Sequence, residues 1–142
     1  MEFHSIGPWI RQHDPEFRTD GKISIFNNNA YHYDYVNDQA RLDVPRETNI
    51  MTIDPKTRDV EVVYGSREGQ EMFSVVRGSH ELLEGGNILI SEFDAGRVLE
   101  VTPEGEVVWE YVNKVDDATV GEITNSEVYP EGYFETDMGA CN

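Results

Sequence analysis

The sequence predicts an all-β chain built from two copies of one four-stranded antiparallel unit. Three observations carry this. Short runs rich in Val, Ile, Trp and Tyr are punctuated by Gly and Pro turns, the signature of strands joined by hairpins. The order of these runs recurs along the chain. Helical periodicity is absent from any stretch of useful length.

The second copy is the cleaner one. Gly86-Asn87-Ile88-Leu89-Ile90-Ser91 leaves a Gly-Gly turn as an apolar strand. Arg97–Thr102 alternates, turns at Pro103-Glu104-Gly105, and Val107-Val108-Trp109-Glu110-Tyr111 closes the unit. The first copy runs in parallel through Gly21–Phe26, Asn49–Pro55 and Val60–Tyr64. Gly86 follows Gly21 by 65 residues, but Thr102 follows Asp54 by only 48. The difference is an insertion of 17 residues in copy one, from about Asn29 to Glu47, expected as a long loop or extra hairpin of the length associated with function. Ahead of each Gly strand stands a further matched piece, Arg11-Gln12-His13-Asp14 and Arg77-Gly78-Ser79-His80-Glu81, both expected in turns. Met72–Arg77 reads as a strand leading into the second.

Four strands in about 45–65 residues is the size and content of a propeller blade. The chain is therefore expected to be a partial β-propeller. Blade one covers about residues 9–65, blade two about 70–113, and 114–142 form a C-terminal tail. An eight-stranded two-layer sandwich is the alternative; the repeat favours blades. Two blades cannot close a ring, so both outer faces would stay open. The expected partners are the remaining blades, or further copies associating through exposed blade edges.

Hydrophobic residues at 38% predict a modest core, while 11% aromatics argue against disorder. With 28 Asp and Glu against 11 Lys and Arg, the net charge is −17. Such a surface repels phosphate backbones and anionic headgroups, which argues against nucleic-acid and membrane partners. No apolar run is long enough for a spanning helix, and Met1-Glu2-Phe3-His4 lacks the features of a signal peptide. The single Cys141 cannot form an internal disulfide.

Gln12-His13-Asp14-Pro15-Glu16-Phe17 followed by Asp20–Asn28 resembles the arylsulfotransferase element in which a Gln-His-Asp turn precedes a strand ending in Phe-Asp-Asn-Gly. Gly86–Ile90 with Gly96–Tyr111 is similar to that family's C-terminal blade, and Ser126–Phe134 resembles the way such chains end. The resemblance implies a fragment of a six-bladed propeller, usually exported and so extracytoplasmic or periplasmic. It implies transfer of a sulfuryl group from an aryl sulfate to a phenol through a sulfated histidine, with no cofactor. An imidazole suits the role because it is a good nucleophile at neutral pH, and covalent catalysis divides a hard transfer into two easier ones.

On this resemblance His13 is the first candidate catalytic histidine and His80, in the equivalent place of the next blade, the second. Each could equally be a polar residue bonding a loop carbonyl. The family places an arginine soon after Phe-Asp-Asn-Gly, whereas here Asn27-Asn28-Asn29 runs into Ala30-Tyr31-His32 and no arginine occurs before Arg41. Arg11 and Arg97 are the expected substitutes as sulfate-binding groups, although Arg97 at a hairpin exit could simply be solvated. Tyr31 and His32 are candidate contacts to a phenolic substrate. His32 and Asp34 would share a face of an extended chain, too few ligands for a metal site, so none is expected. Trp109, Tyr111 and Tyr64 read as blade packing. The alternative function is a propeller that keeps the fold as a ligand- or protein-binding scaffold without transfer chemistry.

Overall fold

A computed structural model describes residues 3–30, 33–34, 39–40 and 47–133. Strands β1 (Gln12–Phe17) and β2 (Ile23–Asn27) form an antiparallel hairpin. A two-stranded ladder of β3 (Tyr33–Asp34) and β4 (Gln39–Ala40) follows, within the expected insertion. Then β5 (Asn49–Ile53) and β6 (Val60–Tyr64) complete a four-stranded sheet of order β1-β2-β5-β6. The second sheet takes β7 (Ser79–Leu82), β8 (Ile88–Glu92), β9 (Arg97–Val101) and β10 (Val107–Val112), again in chain order from edge to edge. The chain is all-β, two four-stranded antiparallel sheets of blade size, with no helix among the described residues.

The turns explain the placement of the glycines. Arg18 N–H donates to Lys22 O at 2.9 Å and Gly21 N–H to Arg18 O at 3.0 Å. Leu83 to Asn87 and Gly86 to Leu83 repeat the pattern at 2.8 and 3.0 Å between β7 and β8. Gly21 and Gly86 both hold positive φ, 84° and 95°, which a side chain would resist.

Register decides which residues meet. Phe26 faces Ile50 and Ile50 faces Tyr64 across the first sheet. In the second, Ile88 pairs with Val101 and Ile90 with Leu99. These two apolar faces, with Met72 from the connecting segment, make one buried cluster between the sheets. Each such side chain contributes about 1.5–3 kcal/mol on burial. Gly78 lets the backbone close over Phe26: an added Cβ would lie 2.3 Å from the ring, at a φ of 90°.

Three sequence expectations change here. Met72–Arg77 is not a strand. Its amides are instead taken by side chains: Phe73 N–H by Glu92, Ser74 N–H by Thr48 and Val75 N–H by Asp94. A segment whose donors are satisfied one by one has no need of a ladder partner. The two histidine-bearing pieces are strands rather than turns, His13 on β1 and His80 on β7. Trp109 and Tyr111 pack less than expected; they stack at 6.5 Å but remain 50% and 49% exposed, while Tyr64 is buried. They stand on the second sheet's outer face with Leu89 and Val98, where the segment Ile123–Val128 walls a cleft of about 540 Å³.

Candidate functional site: a histidine seam between the sheets

The first strand of each sheet carries a histidine, and the two strands meet at the seam. A register shift in β1 between His13 and Glu16, with Asp14 at a φ of 51°, bends the edge there. The bend lets Asp14 reach across: its Oδ2 accepts the backbone N–H of His80 at 2.7 Å. The same oxygen lies 3.3 Å from His80 Nδ1, within charge-contact range, yet Nδ1 makes no hydrogen bond among the described residues. On the other side of the ring, Nε2 hydrogen-bonds with Ser24 Oγ of β2 at 2.7 Å. His80 is 4% exposed and Ser24 is fully buried.

His13 is only partly buried. Its Nδ1 stands 2.9 Å from Arg11 O and 2.6 Å from Asn28 Oδ1. Asn28, 1% exposed, turns its amide nitrogen the other way, donating to Ser74 O at 2.9 Å and Arg77 O at 2.8 Å in the segment leading to β7. Both histidines are thus tied to groups that join one sheet to the other. Ser24, Asn28 and Asp14 are the site residues that sequence reasoning did not single out. All three lay inside the motif that drew attention to His13, Asp14 in Gln12–Phe17 and Ser24 and Asn28 in Asp20–Asn28.

Beside His80 opens a cleft of about 310 Å³ lined by Asp14, Glu16, Glu81 and Glu127 with Asn125, Ser126 and Val128. Burial pushes the Asp14 carboxyl up, but hydrogen bonding and charge contact with His80 outweigh it and hold the group below its ordinary range. Glu16 is pushed the other way, above its ordinary range, by burial and by the neighbouring Asp14 and Glu81 carboxylates.

The remaining candidates are dispersed. Arg97 is engaged with its own blade rather than solvated. Its Nη2 lies 2.7 Å and its Nε 2.8 Å from the Glu92 carboxylate, and Nη2 also donates to Glu71 O at 3.0 Å. Arg11 enters the seam through its carbonyl. Tyr31 and His32 lie outside the described residues. No group of three or more His, Cys, Asp or Glu side chains that could hold a metal ion occurs among the described residues, and no helix there is long and apolar enough to cross a membrane.

Two blade-like four-stranded antiparallel sheets, packed on one apolar cluster, place the chain in the all-β class expected of partial propeller blades. The model of the arylsulfotransferase (ASST) family matches residues 2–114, the span that contains both sheets and the whole seam. The chain belongs to the arylsulfotransferase family. No curated protein and no solved structure gave a match to it.

Proposed function

We propose that the chain serves a propeller-borne sulfuryl transferase in which His13 carries the group from an aryl sulfate to a phenol. The observation that favours His13 over His80 is the difference in what each ring is free to do. His80 is buried, with Nε2 committed to Ser24 and Nδ1 shielded against Asp14. His13 is partly exposed and engaged through Nδ1, and among the described residues its Nε2 has no hydrogen-bond partner. A ring anchored at one nitrogen and open at the other can attack sulfur. The N–S bond forms as the aryl–O–S bond breaks, the phenolate leaves, and an acceptor phenol then takes the sulfuryl group from nitrogen. His80 becomes a positioning residue that ties Asp14, and through it β1, to the second sheet.

The ring itself belongs to this reading. By the 65- and 48-residue offsets, Phe26 and Ile50 correspond to Ser91 and Val98. The face with which the first sheet receives the second is therefore matched, on the second sheet, by the outer face bearing Leu89, Val98, Trp109 and Tyr111. Further blades, or another copy of the chain, are the occupants proposed for it. Of the two arginines expected to hold the sulfuryl oxygens, Arg97 is committed to Glu92.

A second reading, the scaffold without transfer chemistry, draws support from the cleft beside His80, whose described lining holds four carboxylates and no lysine or arginine, an unfavourable setting for an aryl sulfate anion. Incubation with a chromogenic aryl sulfate and a phenol separates the two. Transfer that collapses in His13→Ala supports the first reading; transfer undiminished in that variant removes His13 from the chemistry, and none at all from the parent protein leaves the scaffold.

A further inference from the structure

We infer that Asn28 is a positioning residue that sets the tautomer of His13, holding the proton on Nδ1 and presenting Nε2 as the basic, nucleophilic nitrogen. The donors and acceptors around the two side chains fix the proton's place. Asn28 is buried, and two backbone carbonyls, Ser74 O and Arg77 O, lie 2.9 and 2.8 Å from one end of its amide. Carbonyls only accept, so that end must be the NH₂, and its two hydrogens are both used. The other end is therefore the carbonyl oxygen, and it stands 2.6 Å from His13 Nδ1. The second neighbour of Nδ1 is again an acceptor, Arg11 O at 2.9 Å. A ring nitrogen facing two acceptors must carry hydrogen. In the neutral imidazole the lone pair is then confined to Nε2.

Asn28 is well placed for the task because it cannot turn over. Reversing the amide would bring its oxygen against two carbonyl oxygens while presenting N–H to a protonated nitrogen. The cage is reinforced by Thr48, whose hydroxyl donates toward Asn28 O at 3.1 Å and accepts Ser74 N–H at 2.8 Å. The clamp thus connects the His13 ring to the segment that carries the chain into β7.

This inference deepens the assignment of His13 as nucleophile and rests on it for its catalytic meaning, though the tautomer itself does not. The test is imidazole ¹⁵N NMR on the full chain, at a pH where His13 is neutral. The expected spectrum shows Nδ1 protonated and Nε2 unprotonated, with a coupling across the hydrogen bond from Nδ1 to the Asn28 side-chain carbon. A predominant Nε2–H form, or no such coupling, overturns the inference without any variant being made. In Asn28→Ser, the Nδ1–H to Nε2–H ratio should fall roughly fivefold, the size of one lost hydrogen bond. An unchanged ratio in a folded variant would assign the tautomer to Arg11 O alone. In the transfer assay the same variant should lower kcat more than KM. A correct tautomer without transfer in the parent protein would refute the proposed function and leave this inference standing.

Discussion

Replacing Arg97 with Met separates a structural arginine from a sulfate-binding one. Glu92 is 2% exposed, and its carboxylate has two kinds of partner: the Phe73 N–H on Oε1, and the Arg97 guanidinium on Oε2 at 2.7–2.8 Å. Arg97→Met keeps much of the aliphatic stem but strands a buried negative charge with one hydrogen bond. Breaking a buried pair in this way costs about 3–5 kcal/mol. The Arg97 side chain is 26% exposed, so water can relieve part of the loss, and the lower end, about 3 kcal/mol, is expected. For a chain of this length that lowers Tm by about 6–12 °C. Adding Glu92→Gln removes the stranded charge, so the double variant should recover a large share, with a coupling of about 1–3 kcal/mol. Urea or thermal denaturation followed by circular dichroism measures all four corners of the cycle. If Arg97→Met shifts stability by less than about 0.5 kcal/mol, as an ordinary surface substitution does, the pair is not structural and the reasoning fails.

Gly78→Ala forces a Cβ to 2.3 Å from Phe26 at a φ of 90°, and should cost about 3 kcal/mol from strain and overpacking together; Phe26→Leu in the same chain should return part of it, read by denaturation midpoint. Glu16→Gln should stabilise the chain at neutral pH. A carboxyl raised in the folded state opposes folding once it ionises, so the gain should appear as pH climbs through the raised range and vanish below the ordinary carboxylate range, where both states are protonated; a gain that grows toward acid pH would contradict this. Trp109→Glu with Tyr111→Glu should abolish any self-association seen by sedimentation at high salt, where the charge of −17 is screened; unchanged mass would place the contact elsewhere.

The two sheets were legible because their strands are short, β-rich and separated by glycine turns, and because Gly21 and Gly86 open equivalent strands. Strand boundaries near the seam were less so. The segment Met72–Arg77 has the composition of a strand, but Thr48, Glu92 and Asp94 capture its amides, and those residues lie 19 to 26 positions away in sequence. Gln12-His13-Asp14 was expected in a turn because the family element it resembles has one there; the bulge that bends β1 has no strong sequence mark. Arg97 read as solvated because nothing local shows that Glu92, five residues earlier, is buried facing it. Long-range pairings of polar groups were the illegible part throughout. Local pattern encodes which way a residue points, and only the packing of one sheet on the other decides what it meets.

That packing also ties the proposed site to the fold. Asp14 holds His80, Ser24 holds the far side of the same ring, and Asn28 spans from His13 to the segment before β7. These groups replace apolar contact along one edge of the interface, beside the Phe26–Ile50–Leu99 cluster that supplies the bulk of it. A polar seam of this kind adds little net stability when satisfied and costs more when half of it is removed. Its advantage is geometric: directional hydrogen bonds restrict how the sheets dock, even with His80 Nδ1 left without one among the described residues, whereas apolar faces can slide. The orientation of the His13 ring is thereby made a consequence of the two sheets being correctly docked. Substitutions in the seam will therefore move stability and ring geometry together, and only readouts that report on the ring itself can divide the two.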